Sequence, residues 1–261
     1  SLDSQRVATF DSDQLIDYRS HRPVMQVEDW VTKDVTAPQI AIDLVHDDQG
    51  QPLLLLHGPE PDAKWGRITE EIRRIVDLAG VETVYSLHGL PAAVPHTRPA
   101  TIHVQSSDPE LIPDQPLMGG VAEFPAPYTS FLQHRLQDEG RSAVTLLATV
   151  PYYMSGTTFP RASSALLRRL AEMAGLSLPV GDLERGADEH AGQVDQMVEQ
   201  SRDLQSTVSA LENHFDEITN GRDSEEEQTR SLLDRAQLQD WERVMHTDPD
   251  EDAFPDAEQL S

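Results

Sequence analysis

Residues 143–150 read AVTLLATV, a run that predicts a strand in the middle of a sheet. Aliphatic and β-branched side chains fill it without strict alternation, which is typical of a strand covered on both faces. A loop follows at 151–160, and a helical pattern then carries Leu166, Leu170 and Met173 to a stop at Gly175. The run therefore predicts one strand–loop–helix unit of an α/β fold.

The residues before this run predict a second unit of the same kind. Apolar segments at 40–44 and 53–56 flank a turn at 47–50, and the four leucines of the second segment are typical of a strand buried on both faces. A helical period then runs from Trp65 to Ala79, and Asp62 is placed to cap that helix. Another strand pattern begins at 81, so this βαβ arrangement predicts a mostly parallel sheet.

The last third of the chain has a different residue pattern, which predicts a helical appendage. One long amphipathic pattern covers 187–218, NGRD at 220–223 interrupts it, and a second helical pattern covers 224–246. Two such helices joined by a short loop form an αα-hairpin. We therefore divide the chain into an α/β core domain at 1–183, a helical hairpin at 184–247 and an acidic, disordered tail at 248–261.

Composition excludes several functional classes. The formal net charge is −26, and nucleic-acid binding needs a basic surface that this chain does not offer. Cysteine is absent, which removes disulfides and thiolate metal sites and fits a reducing compartment. No apolar run approaches the ~20 residues of a membrane span, and we see no signal-peptide pattern. We expect a cytoplasmic protein that contacts neither nucleic acid nor membrane.

The residues that could hold a ligand follow the predicted strands. In open parallel sheets ligands bind beyond the carboxyl ends of the strands. The side chains at those positions are His57, Glu60 and Asp62 after the leucine run, His88 after the next strand, and Tyr152 with Tyr153 after residue 150. The alternative is that these Gly- and Pro-rich loops merely turn the chain.

The stretch 88–99, HGLPAAVPHTRP, contains a second candidate site, formed by a histidine and an arginine between prolines. Its prolines disfavour helix and strand, and a residue before proline is driven to extended geometry. His96 and Arg98 are then expected on the same side, where, with Arg161, they would clamp an anion. The alternative is that Arg98 pairs with a carboxylate of its own chain or of a second subunit and fastens the loop.

No pattern in the chain indicates a catalytic, cofactor or metal site. A G-x-S-x-G nucleophile elbow and the two glycine-rich phosphate-binding motifs are missing. The spacings of His57, His88, His96 and His103 match no known metal motif. We therefore predict no catalytic residues, no cofactor and no bound metal.

Several short motifs resemble one known family. GPEPDAKW at 58–65, LPAAVPHTRP at 90–99, MGG at 118–120, and VPYY with FPRASSALL within 150–167 are similar to the proteasome assembly chaperone 2 family in its actinobacterial form. LIDYRSHRP at 15–23 resembles the same branch. The resemblance implies a three-layer α/β/α domain of the phosphorylase/hydrolase-like type and self-association, with a trimer among the candidate states. It implies no catalytic set.

Two functions follow from these observations. The first is an assembly-chaperone-like interaction module that forms a homo-oligomer and binds other proteins. The second is an anion-binding protein or hydrolase-like enzyme that uses the carboxyl ends of the strands. The eukaryotic members end in a hydrophobic–Tyr–X tail motif that this sequence, which ends AEQLS, does not contain.

Overall fold

The computed structural model describes residues 2–113, 115 and 121–220. The strands are β1 (Ser4–Thr9), β2 (Val24–Glu28), β3 (Val31–Thr36), β4 (Ala41–His46), β5 (Pro52–His57), β6 (Thr83–Ala92), β7 (Ile102–Gln105) and β8 (Ser142–Pro151). The helices are α1 (Ser12–Leu15), α2 (Trp65–Ala79), α3 (Tyr128–Asp138), α4 (Pro160–Ala174), α5 (Gly181–Glu199) and α6 (Arg202–Asn220). Single 3-10 turns cover Pro109–Leu111 and Tyr152–Met154.

The run 143–150 lies within β8, the central strand of a sheet ordered β6-β8-β7. Its side chains are buried on both faces, as predicted. On one face Leu146 and Ala148 pack with Ala162 and Leu166 of α4. On the other face the Thr145 hydroxyl donates a buried hydrogen bond to a glutamine side chain of α3. The two helices thus cover β8 from opposite sides, and this burial fixes the middle of the fold.

The expectation of a mostly parallel sheet is wrong. β6 and β8 pair in parallel, but β7 runs antiparallel to β8. A separate sheet ordered β1-β4-β5 is antiparallel throughout, and β2 with β3 forms a third, antiparallel pair. β5 forms an antiparallel hairpin with β4 and lies in a different sheet from β6, so within the described residues it is not the parallel neighbour of β6 that a βαβ unit would require.

Three local predictions also need correction. Asp62 does not cap α2, because Lys64 holds the cap position in left-handed conformation without a side-chain hydrogen bond. The leucine run lies on an edge strand and is not buried on both faces, since Leu55 is exposed. The stretch from His88 to Ala92 continues β6 instead of forming a loop. Pro91 is tolerated there because β6 is an edge strand and needs hydrogen bonds on one side only.

The C-terminal helices differ from the predicted single helix over 187–218. The helix is interrupted at Gln200 and Ser201, and α6 begins directly after them. The Ser201 hydroxyl accepts a hydrogen bond from the Leu204 N–H at 3.4 Å. Serine is a favoured helix N-cap, and this one interrupts an otherwise continuous apolar pattern. The second helical pattern at 224–246, the tail at 248–261 and the MGG motif lie outside the described residues. None of the described helices is long and apolar enough to cross a membrane.

We predict that Gly58→Ala destabilises the protein more than Gly50→Ala. Both glycines have positive φ (+131° and +83°), so alanine strains the backbone at either position, at about 1–3 kcal/mol. A Cβ at Gly58 would also overlap the Gln39 carbonyl and lie 2.8 Å from Ile40 Cα, whereas a Cβ at Gly50 meets open space. Overpacking adds roughly 1–3 kcal/mol. Urea unfolding of both variants measures the difference, and equal losses would contradict this packing.

Candidate functional site

The ends of β6 and β8 define one edge of the central sheet. Their parallel register places Ala92 opposite Pro151, so both chains leave the sheet at the same level. We call this region the carboxyl edge, meaning residues 93–99 after β6 and residues 152–154 after β8. The structure therefore places one of the three predicted ligand loops, the one with Tyr152 and Tyr153, beside residues 93–99, whereas His88 lies within β6.

His96 is the buried centre of the carboxyl edge, with 3% of its surface exposed. The Tyr153 hydroxyl accepts from the His96 N–H at 2.8 Å and lies 2.6 Å from ring Nδ1. Ring Nε2 lies 3.0 Å from Asp195 Oδ1 of α5, and Arg161 Nη1 of α4 donates to the His96 carbonyl at 2.7 Å. All four polar atoms of His96 are thus engaged.

Both ring nitrogens of His96 are hydrogen-bonded at these distances. Burial raises the pKa of Tyr153 to about 12, so its hydroxyl keeps the proton that it can donate to Nδ1 of His96. Nε2 then carries the ring proton and donates it to Asp195. In this arrangement neither ring nitrogen has a lone pair free to bind a metal or a substrate. The ring instead connects Tyr153 to Asp195 of α5.

Residues 95–98 form a turn, not the extended segment expected from the flanking prolines. The Arg98 N–H donates to the Pro95 carbonyl at 3.4 Å, which closes the turn. Arg98 then donates a bidentate pair of hydrogen bonds to Asp216 of α6, at 2.8 and 2.6 Å. Thr97 donates to Glu212 of the same helix at 2.6 Å, and Glu212 also lies 3.4 Å from Arg98.

The ion pair of Arg98 favours the internal-fastening alternative over the anion clamp. The hydrogen bond to Asp216 raises the pKa of Arg98 and lowers the pKa of Asp216, so both remain charged near neutral pH. Because two carboxylates already surround the guanidinium, an added anion would have to displace them. His96 points to α5 and Arg98 to α6, so the two do not form one clamp.

The same contacts show that α6 turns back on α5. In one straight helix Asp195 and Glu212 would lie roughly 25 Å apart, since each residue adds about 1.5 Å. In the structure they contact the neighbouring residues His96 and Thr97. The break at Gln200 and Ser201 therefore returns the chain to the carboxyl edge, and both helices pack over it.

Glu60 and His88 meet at a second place, the start of α3. The Glu60 carboxylate accepts from the Tyr128 N–H and so caps that helix. His88 Nε2 lies 2.9 Å from the Thr129 hydroxyl. Partial burial lowers the pKa of His88, and the nearby Glu60 charge partly offsets that effect. These two residues share a local structural role beside α3.

Of the remaining predicted residues, His57 and Asp62 lie apart from both groups, whereas Tyr152 belongs to the carboxyl edge. His57 Nε2 lies 2.9 Å from Asp43 Oδ2 on the antiparallel sheet. Asp62 accepts from the Asp17 N–H at 2.7 Å and so fixes the segment after α1. Tyr152 is partly exposed and packs edge-on against Tyr153, with ring centroids 5.7 Å apart. Within the described ranges, no group of three or more metal-ligating side chains is placed to hold an ion.

Sequence reasoning missed the carboxylates that complete the carboxyl edge. Asp195, Glu212 and Asp216 lie on the polar sides of amphipathic helices, where acidic residues are ordinarily solvated. Ser201 was the one available signal, since a helix N-cap inside the long pattern would have indicated a turn there. The pairing itself depends on where α6 packs, which no local pattern specifies.

Comparison with known proteins places these features in a wider group. A model of the PAC2 family matches residues 1–198. A Corynebacterium glutamicum protein of unknown function has a similar structure, with 32% identity over 85% of this chain and 83% of its own and a TM-score of 0.80. A Mycobacterium tuberculosis protein of unknown function also shares 32% identity, over 88% of this chain and 81% of its own, with a TM-score of 0.80.

A third structure carries a functional description. It is a Mycobacterium tuberculosis proteasome-assembly chaperone homologue with 27% identity over 78% of this chain and 87% of its own, and a TM-score of 0.70. No curated protein sequence matches the chain. The actinobacterial resemblance drawn from the motifs is confirmed by the family match and by these structures.

We predict that Arg98→Ala loosens α6 without disturbing β8. Loss of the bidentate pair leaves Asp216 and Glu212 without their cation, so amide hydrogen exchange should rise several-fold across residues 202–219 and stay unchanged in 143–150. Asp216→Ala should give the same pattern, and the double variant should add little, because both changes remove one interaction. Mass-spectrometric exchange measures this.

Arg74→Ala is the matched control. Arg74 pairs with Glu70 and Glu71 of its own helix, so its loss removes no contact between elements. Unchanged exchange of α6 in Arg98→Ala, or an equal rise in Arg74→Ala, would contradict the fastening role of the Arg98 pair.

Proposed function

The chain belongs to the PAC2 family, and we propose that it is an assembly-chaperone-like protein that works by binding other proteins. In this proposal it also associates with itself, and its partners are protein subunits on their way into a larger complex. The relative described as a proteasome-assembly chaperone homologue supports proteasome subunits as the first candidates.

The observation that carries this proposal is the covered carboxyl edge. An anion-binding or hydrolase-like function would use an open crevice there, with free polar groups. In this chain α5 and α6 cover the edge, His96 has no unused ring nitrogen, and Arg98 is paired with Asp216. The groups that would recognise a small molecule instead hold the chain's own helices.

Exposed apolar side chains give further support. Large apolar side chains are exposed at several positions between Val24 and Val35, whereas the apolar side chains of the core are buried. Exposed apolar surface of this kind is typical of proteins that bind other proteins.

We predict that the full chain forms a complex with unassembled proteasome α-subunits of an actinobacterium. Light scattering and native mass spectrometry of the mixture should show one species containing both proteins, and α-ring formation should become faster. The control is an unrelated protein of similar size and similar negative charge, because an acidic protein can bind basic surfaces without specificity.

The absence of a joint species, together with an unchanged rate of ring formation, would overturn the chaperone proposal. A complex that forms equally with the acidic control protein would overturn it as well, since charge alone would then account for the binding.

A further inference from the structure

A polar cavity lies at the start of β8, at the opposite end of that strand from the carboxyl edge. We call it the β8 cavity, and its volume is about 190 Å³. Its described lining consists of Ser107, Asp108, Gln137, Gly140, Arg141 and Ser142. A cavity of about 150 Å³ can hold a benzene-sized molecule, so the β8 cavity has room for a ligand of that size. Ser107, Asp108 and Gly140 are exposed, which leaves the cavity accessible from solvent.

The side chain of Gln137 brings an unused hydrogen-bond acceptor to the cavity. Its Nε2 donates to the Ser106 hydroxyl at 2.9 Å and to the Ala143 carbonyl at 2.7 Å. Turning the amide over would place Oε1 against that carbonyl, so these two bonds fix the position of the oxygen. Oε1 is buried and has no hydrogen-bond partner. Because buried acceptors are normally satisfied, this atom points to a donor supplied by a molecule in the cavity.

The charges around the cavity favour a cationic donor. One Asp108 oxygen accepts from the Glu110 N–H at 3.0 Å, and the other has no hydrogen bond within the described residues. Gln137 lies at the C-terminal end of α3, where the helix dipole adds partial negative charge. The positive charge of Arg141 is balanced by Asp77, which accepts from its Nη2 at 2.5 Å. The Asp108 carboxylate is therefore the charge left over in the lining.

Arg141 and the two serines can bind an acceptor of the same ligand. Only Nη2 of Arg141 is occupied by Asp77, so Nε and Nη1 keep N–H groups without a partner among the described residues. A guanidinium presents its N–H groups in a planar fork that matches a carboxylate. The Ser107 and Ser142 hydroxyls lie in the same lining and can donate as well.

These groups together select the chemical class of the ligand. Arg141 disfavours a bare metal cation in the cavity, and Asp108 with the Gln137 oxygen disfavours an inorganic anion. A neutral molecule would leave both charged groups without a matching partner. A small molecule that carries an ammonium group and a carboxylate satisfies the acceptors and the donors of the lining at once.

We propose that the β8 cavity binds a small α-amino acid. Its ammonium group donates to Gln137 Oε1 and to Asp108, and its carboxylate accepts from Arg141. β8 has ten residues at about 3.3 Å each, so the cavity lies roughly 30 Å from the carboxyl edge. The inference therefore goes beyond the proposed protein-binding function and does not depend on it.

The test is an NMR titration of the ¹⁵N-labelled full chain with three matched probes. L-Alanine carries both charged groups, propionate lacks the ammonium group and ethylamine lacks the carboxylate. We expect L-alanine to shift the amides of residues 140–142 and the side-chain amide of Gln137 in a saturable manner. Each of the other probes should bind at least about tenfold more weakly, the loss expected for one hydrogen bond to a charged group.

Asp108→Asn removes the charge of the cavity and keeps its local structure. Asparagine caps a helical turn as well as aspartate does, so the bond from Glu110 N–H is retained. We expect the affinity for L-alanine to fall about tenfold. Asp11→Asn is the matched control, because Asp11 caps α1 by accepting from the Asp13 N–H at 3.2 Å, away from the cavity. That variant should bind L-alanine like the wild type.

Arg141→Met separates lost contact from lost folding. It removes the carboxylate partner only, so L-alanine should bind no better than ethylamine, while the affinity for ethylamine is retained. A variant with a disrupted cavity would lose both probes. The ratio of the two affinities therefore reports on Arg141 itself.

Three results would overturn the inference. The first is a wild type in which L-alanine causes no saturable shift at residues 137–142, which would mean that the cavity holds water only. The second is propionate or ethylamine binding as tightly as L-alanine, since the ligand would then need only one of the two charges. The third is an unchanged affinity in Asp108→Asn, or an equal loss in Asp11→Asn. None of these results changes the outcome of the experiment with proteasome α-subunits, which tests the proposed function separately.

Discussion

The parallel register of β6 and β8 is the constraint on which the rest of the structure depends. Because the two strands end together, the turn at 95–98 and the tyrosines at 152 and 153 lie at one edge of the sheet. Buried polar groups there need partners, since an unsatisfied group costs about 1–3 kcal/mol. Tyr153, Arg161 and Asp195 satisfy His96, and this requirement in turn fixes where α4 and α5 lie.

Some acidic residues of the chain make structural contacts, in addition to the general effect of negative charge on solubility. Asp195, Glu212 and Asp216 belong to a strongly negative C-terminal region, yet each is a hydrogen-bond acceptor for the turn at 96–98. The helices that carry these carboxylates cover the edge where related α/β architectures bind ligands. The polar groups at this edge of the sheet contact other parts of the same chain, while exposed apolar side chains lie on β2 and β3.

Sequence reasoning predicted part of the candidate site and failed on the rest for identifiable reasons. It placed His96 and Arg98 in one loop near the strand ends, because prolines and strand limits are local signals. It expected an extended segment, and the turn closed by Pro95 and Arg98 sent the two side chains to different helices. It found no hairpin at 24–36, because an Asp-Trp tip lacks the glycine that usually marks such a turn.

The sequence by itself determined β8, the bounds of α2 and α4 to within a few residues, and membership in the PAC2 family. These depend on apolar periodicity, on glycines with positive φ at helix ends, and on short motifs, all of which are local. Only the tertiary structure determined which strands pair, which of those pairs are antiparallel, and which carboxylate binds Arg98. Those outcomes depend on contacts between residues that are distant in the chain, such as Thr83 with Ser142 in the β6–β8 pair and Arg98 with Asp216, and a local pattern carries no information about its distant partner.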